Sequence, residues 1–232
     1  MKKLHLISIM LIFLLIGNDL FSQLLNEVKI TPPSYTSSRY DNLNTLLRSS
    51  LNYPASAMAN DIQGTEVIRF SVLPTGQIDN LVVVNSLTRE IDEEIIHLLR
   101  QTKGDWVPGT INGVPKTMVK EISVTFVLQS YNDMLKVAQK QLQYANFLRF
   151  HKNNPRKALP YYNKVISLFP SDMGALLARG YCLEELGYVE KAKENAARIH
   201  SIAAFEKSGL PAENSEIPEW IDLYADVIVT AN

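Results

Sequence analysis

The chain has 232 residues, room for one or two domains, and its 46% hydrophobic and 20% charged content is that of an ordinary soluble globular protein. A formal net charge of −1, with no basic stripe able to neutralise phosphates, argues against a nucleic-acid partner. The single cysteine, Cys182, rules out an internal disulfide; it falls in an apolar helical pattern and reads as a small buried hydrophobe.

Residues 1–22 have the plan of a signal peptide: the basic pair Lys2-Lys3, the apolar run Leu4 to Gly17, and a polar end leading to Ser22. Fourteen helical residues at about 1.5 Å each cover about 21 Å, against roughly 30 Å of bilayer hydrocarbon. Export to the periplasm or cell envelope is therefore expected; the alternative is an inner-membrane anchor formed by residues 4–17. Residues 23–41, with Pro32-Pro33 and a Ser/Thr cluster, predict a flexible arm. Leu43, Leu46 and Leu47 then predict a short helix that packs on the domain behind it.

Residues 42–129 read as a small α+β domain. Glu66 to Leu73 alternates with β-branched and aromatic residues, Pro74-Thr75-Gly76 closes a hairpin, and Ile78 to Val84 returns. Ile91, Ile95, Leu98 and Leu99 form one stripe of a helix over Glu90 to Gln101. Val119 to Leu128 alternates again, with Lys120, Ile122, Val124, Phe126 and Leu128 on the more apolar, core-facing side.

An ordered set of short pieces runs through this region. It comprises Tyr53-Pro54 with Ala57, Gly64, Gly76, Asp92, Trp106-Val107-Pro108-Gly109, Asn112-Gly113-Val114-Pro115, and a closing strand ending at Phe126. In these pieces the chain resembles the C-terminal domain of TonB-type energy transducers. The resemblance implies a small antiparallel sheet with a packed helix, no catalysis, and capture of a short peptide from an outer-membrane receptor. Capture would occur by strand addition to the exposed edge of the last strand, at Val119, Lys120, Glu121, Ile122, Ser123, Val124 and Thr125. In the competing reading Lys120 and Glu121 protect that edge, or the helix of residues 130–150 covers it.

Residues 130–207 hold two helix pairs at a 34-residue offset. Lys157-Ala158 matches Lys191-Ala192, Phe147 matches Tyr181, and Asn153 matches Gly187 in the turn. This all-α region resembles tetratricopeptide repeats, and Tyr144, Arg149, Lys157 and Tyr181 are its candidate groove residues. Residues 208–232 read as a loop followed by a capping helix, whose stripe is Trp220, Ile221, Leu223, Tyr224 and Val227.

No catalytic or metal motif emerges. The histidines are scattered, HExxH and glycine-rich phosphate loops are absent from the sequence, and the acidic run Asp92-Glu93-Glu94 suits a helix N-terminus. A hydrolase built on Glu93 or Glu94 with His97 is the enzymatic alternative, and neither cofactor nor metal is expected. The expected role is a non-enzymatic adaptor that binds a protein or peptide partner, such as an outer-membrane receptor. A membrane-anchored energy transducer and a homodimer through the same edge are the alternatives.

Overall fold

The computed structural model describes residues 29–208 and 227–231. The expected signal peptide and most of the expected capping helix lie outside the described residues. The chain opens with two short strands, β1 (Ile30–Thr31) and β2 (Ser34–Tyr35), then helices α1 (Leu43–Ser50) and α2 (Ala55–Ala59). Next come β3 (Gly64–Val72), β4 (Ile78–Asn85), α3 (Arg89–Gln101) and the short strands β5 (Trp106–Val107), β6 (Thr110–Ile111) and β7 (Val114–Pro115). The long strand β8 (Met118–Val127) closes the domain. A helical region follows: α4 (Tyr131–Asn146), a π-helical turn Phe147–His151, α5 (Pro155–Leu168), α6 (Met173–Glu185) and α7 (Val189–Ser208). The last described element is β9 (Val227–Thr230).

The main sheet has the order β4-β3-β8-β9. β3 and β8 are antiparallel in unbroken register, from Gly64 opposite Phe126 to Val72 opposite Met118. One face carries the expected core. Ile68, Phe70, Ile122, Val124 and Phe126 pack against Leu43 and Leu47 of α1 and Ile91, Ile95 and Leu99 of α3. Each such fully buried aliphatic side chain contributes about 1.5–3 kcal/mol of transfer free energy. Both helices start on side-chain caps: Asn42 Oδ1 accepts from the Thr45 amide at 2.9 Å, and Thr88 Oγ1 from the Ile91 amide at 3.2 Å. Trp106 is locked into the same core between Tyr35 and Phe70, and its indole N–H donates to Thr102 Oγ1 at 2.9 Å.

The helices α4 to α7 build their own core around Ala145, Leu148, Ala158, Tyr162, Leu176 and Cys182. Burial pushes the Cys182 thiol up from its ordinary value, which suits an inert packing residue. Asn153 and Gly187, the two turn residues 34 apart, both adopt positive φ, 47° and 72°.

The helical layer lies on the second face of the sheet. Thr65 Oγ1 sits 3.0 Å from Thr125 Oγ1 and donates to the Leu168 carbonyl at 2.8 Å, while Asn85 Nδ2 donates to Thr65 O at 2.6 Å. Gly64 lets α5 approach: its φ is +152°, and a Cβ there would stand 2.5 Å from the Ser167 carbonyl oxygen. β3 and β8 are thus covered on both faces.

Two expectations need correction, and one strand face is covered that the sequence left unassigned. The arm at residues 23–41 is tied down in part, because β1 pairs with β6 and β2 with β5. The Val119, Glu121, Ser123 and Thr125 face of β8 is not a solvent face; Glu121, Ser123 and Thr125 are buried under the helices. Val227 does not belong to a helix capping the helical layer, because it opens β9 and completes the sheet.

Candidate functional site

β8 is the strand through which both halves of the molecule meet. Lys120, Ile122 and Val124 point toward α1 and α3, and the Lys120 ammonium stands 6.0 Å from the Trp106 ring centroid. Glu121, fully buried, receives Arg198 Nη1 of α7 on both oxygens, at 2.7 and 2.8 Å, and Arg69 of β3 at 3.3 and 3.4 Å. Glu121 is therefore a buried ionic latch between sheet and helices rather than a charge guarding an edge.

The main chain of β8 is bonded to β3 along one side. Along the other, β9 lies parallel over only four positions, with Val124 opposite Val227 and Val127 opposite Thr230. Among the described residues no strand pairs with this outer side from Met118 to Ser123. β9 alternates cleanly: Val227 and Val229 enter the core, at 0% and 8% exposure, while Ile228 is 44% exposed. Of the seven expected edge residues, Val124 and Thr125 face the chain's own strand, and Val119 to Ser123 lie in the stretch with which no described strand pairs on that side.

The four groove candidates do not converge. Tyr144 joins an exposed aromatic cluster with Phe147 and Tyr161. Arg149 is an internal tie, bonded to Glu185 at 2.8 Å and to Asn153 at 3.4 Å. Lys157 and Tyr181 are exposed, and among the described residues no hydrogen bond, ion pair or ring contact joins either to Tyr144. Of the hydrolase candidates, Glu93 pairs with Arg89 at 2.7 Å, Glu94 accepts from the Asn52 amide at 3.4 Å, and His97 bonds with Gln101 at 2.8 Å.

The edge geometry coincides with a sequence match. Residues 49–128 match the family described as the Gram-negative bacterial TonB protein C-terminal. No curated protein and no solved structure matches the chain. The match ends at Leu128, one residue past β8, so the helical layer and β9 lie outside the matched stretch. This family is a non-enzymatic energy-transducer and interaction domain of the Gram-negative envelope. Among the described residues no helix is long and apolar enough to cross a membrane, and no three His, Cys, Asp or Glu side chains gather as a metal site.

Sequence reasoning missed β9, Arg69 and Arg198. Val227-Ile228-Val229-Thr230 is a β-branched run, a visible strand signal that the helical stripe ahead of it had absorbed. The two arginines carry no local signal, since their partner Glu121 is distant in sequence.

Proposed function

We propose that the protein is an exported adaptor of the cell envelope whose TonB C-terminal domain takes a partner peptide by strand addition at the outer edge of β8, in the service of outer-membrane transport. The observation that carries this reading is β9 itself. A parallel strand already rests on that edge, with two small β-branched side chains seated in the core, so the edge has both the hydrogen-bonding groups and the side-chain pockets that β-augmentation requires. A partner strand would extend over Met118–Ser123, where no described strand pairs with the outer side, and exchange with β9 at Val124–Val127. Its favoured sequence carries compact apolar residues two apart, replacing Val227 and Val229.

Exchange is tested with a fluorescein-labelled copy of residues 226–231. An intramolecular strand competes at an effective concentration in the millimolar range. A chain ending at Asp226 should therefore bind the copy at least about tenfold more tightly than the full chain, and a copy with aspartate at both core-facing valines should bind neither. Failure of both chains to bind, with the truncated chain folded by circular dichroism, refutes strand addition. A second copy of the chain is another occupant of the same edge; it would appear as concentration-dependent sedimentation of the truncated chain. N-terminal sequencing of exported protein separates the adaptor from an anchored transducer, since the adaptor should begin near Gln23.

A further inference from the structure

A cleft of about 680 Å³ opens between the free side of the sheet and the helical layer, away from β9 and β8's outer edge. One wall is β4 at Val82 to Asn85, and the other is formed by α5, α6 and α7. Side chains of consecutive strand residues alternate between faces, so a wall of four successive residues presents main chain as well. β4 ends the sheet, and among the described residues no strand pairs with its outer side. Its amide and carbonyl groups are thus available to an extended chain.

The cleft is cationic. Arg69, Arg179, Lys191 and Arg198 line it, against Glu194 in the lining and Glu121 buried behind Arg69 and Arg198. Two positive charges are left uncompensated there. Arg179 is the exception among its arginines: its one hydrogen bond runs from Nε to the neutral Asn195 Oδ1, at 2.7 Å, and among the described residues it forms no ion pair. Asn195 is itself fixed. It is 3% exposed and donates from Nδ2 to the Leu176 carbonyl at 2.9 Å. Gly180 makes room for it, since a Cβ at that position would meet Asn195 Nδ2 at 2.9 Å. A buried amide therefore holds one edge of the Arg179 guanidinium. Burial also pulls the Arg179 pKa down from its ordinary value, and the nearby Glu194 carboxylate offsets this only in part.

We infer that this cleft is a second binding site, and that its ligand is an extended acidic peptide pairing its main chain with β4 and its carboxylates with Arg179, Lys191 and the outer faces of Arg69 and Arg198. The volume lies within the usual range of ligand sites. The strand wall selects a peptide over a compact anion, and charge-assisted guanidinium–carboxylate bonds are the strong class of hydrogen bond. The site does not depend on strand addition at β8.

Fluorescence anisotropy with the full chain tests it, using labelled (Glu-Val)₄ and the control (Gln-Val)₄. The acidic peptide should bind at least about tenfold more tightly than the control, and Arg179→Gln should weaken it about tenfold, the usual weight of a hydrogen bond to a charged group. Lys191→Gln, at an exposed position, should weaken it severalfold and decides the matter if Arg179→Gln fails to fold. Excess unlabelled copy of residues 226–231 should leave the acidic peptide bound. Equal affinity for the two peptides, unchanged affinity in the folded variants, or displacement by that copy would each overturn the inference. So would inorganic phosphate competing as well as unlabelled (Glu-Val)₄, which would make the cleft a simple anion site.

Discussion

Arg198→Ala should loosen the helical layer from the sheet. Arg198 is 10% exposed, and its Nη1 lies 2.7 and 2.8 Å from the two oxygens of Glu121, whose side chain is fully buried. Truncating one member of a buried ion pair costs about 3–5 kcal/mol, because the other charge stays desolvated and uncompensated. Arg69 remains, at 3.3 Å and 27% exposed, so the lower end applies, about 3 kcal/mol. For a chain of this size each kcal/mol moves the melting temperature by about 2–4 °C, giving a fall of roughly 6–12 °C. Circular dichroism melts and urea titrations of Arg198→Ala, Glu121→Met and the double variant Glu121→Met/Arg198→Met measure it. The double variant should recover most of the loss, since apolar replacement of a whole buried pair is often neutral. A loss below about 1 kcal/mol in Arg198→Ala, the value of a surface pair, would refute the latch.

Stability should also fall with rising pH through Glu66. Burial pushes this carboxyl up to about 9, from an ordinary 4.5; Oε2 accepts the Leu87 amide at 2.8 Å, Oε1 has no hydrogen-bond partner among the described residues, and Asp92 lies nearby. Between those two values the folded chain holds a proton that the unfolded chain has released, so stability present below about pH 4.5 is lost toward pH 9, by at most about 1.4 kcal/mol per pH unit. Glu66→Gln should flatten this slope and be the more stable protein at pH 8; an equal wild-type-to-variant difference at pH 5 and pH 8 contradicts the assignment. Gly64→Ala should cost about 2 kcal/mol or more in urea titration, because it combines a backbone conformation that disfavours side chains with a Cβ 2.5 Å from a carbonyl oxygen. A cost below about 0.5 kcal/mol would mean that α5 does not press on the sheet at this point.

The domain core was legible because local signals agreed there. The leucine spacing of α1, the isoleucine and leucine stripe of α3 and the alternation of β8 each identified the buried face, and Leu47, Ile91, Ile95, Leu99, Ile122, Val124 and Phe126 are all essentially inaccessible. The burial of the second face of β8 was not legible, for a physical reason. Glu121, Ser123 and Thr125 are polar, and polarity along a strand ordinarily marks solvent; here all three are buried, with Glu121 bonded to Arg198 of the helical layer and Thr125 beside Thr65, which donates to the Leu168 carbonyl. Satisfying such groups needs residues far away in sequence, which periodicity does not register. The edge of β8 was legible as a site only through family resemblance, while its occupant was not, because β9 arrives about a hundred residues later by a parallel register that no local pattern encodes. The cleft was invisible for the same reason, since its cations are drawn from β3, α6 and α7.

Strand exchange on β8 is the central claim, and a reversible lock tests it most directly. Thr125 and Ile228 are paired across β8 and β9, so Thr125→Cys/Ile228→Cys can close a disulfide that pins β9 to the edge, while Cys182 stays buried and out of reach. Solubilised outer-membrane proteins are passed over the immobilised double variant, oxidised and then reduced. Strand exchange predicts capture of a receptor by the reduced protein and loss of that capture in the oxidised one. Equal capture in both states would contradict it.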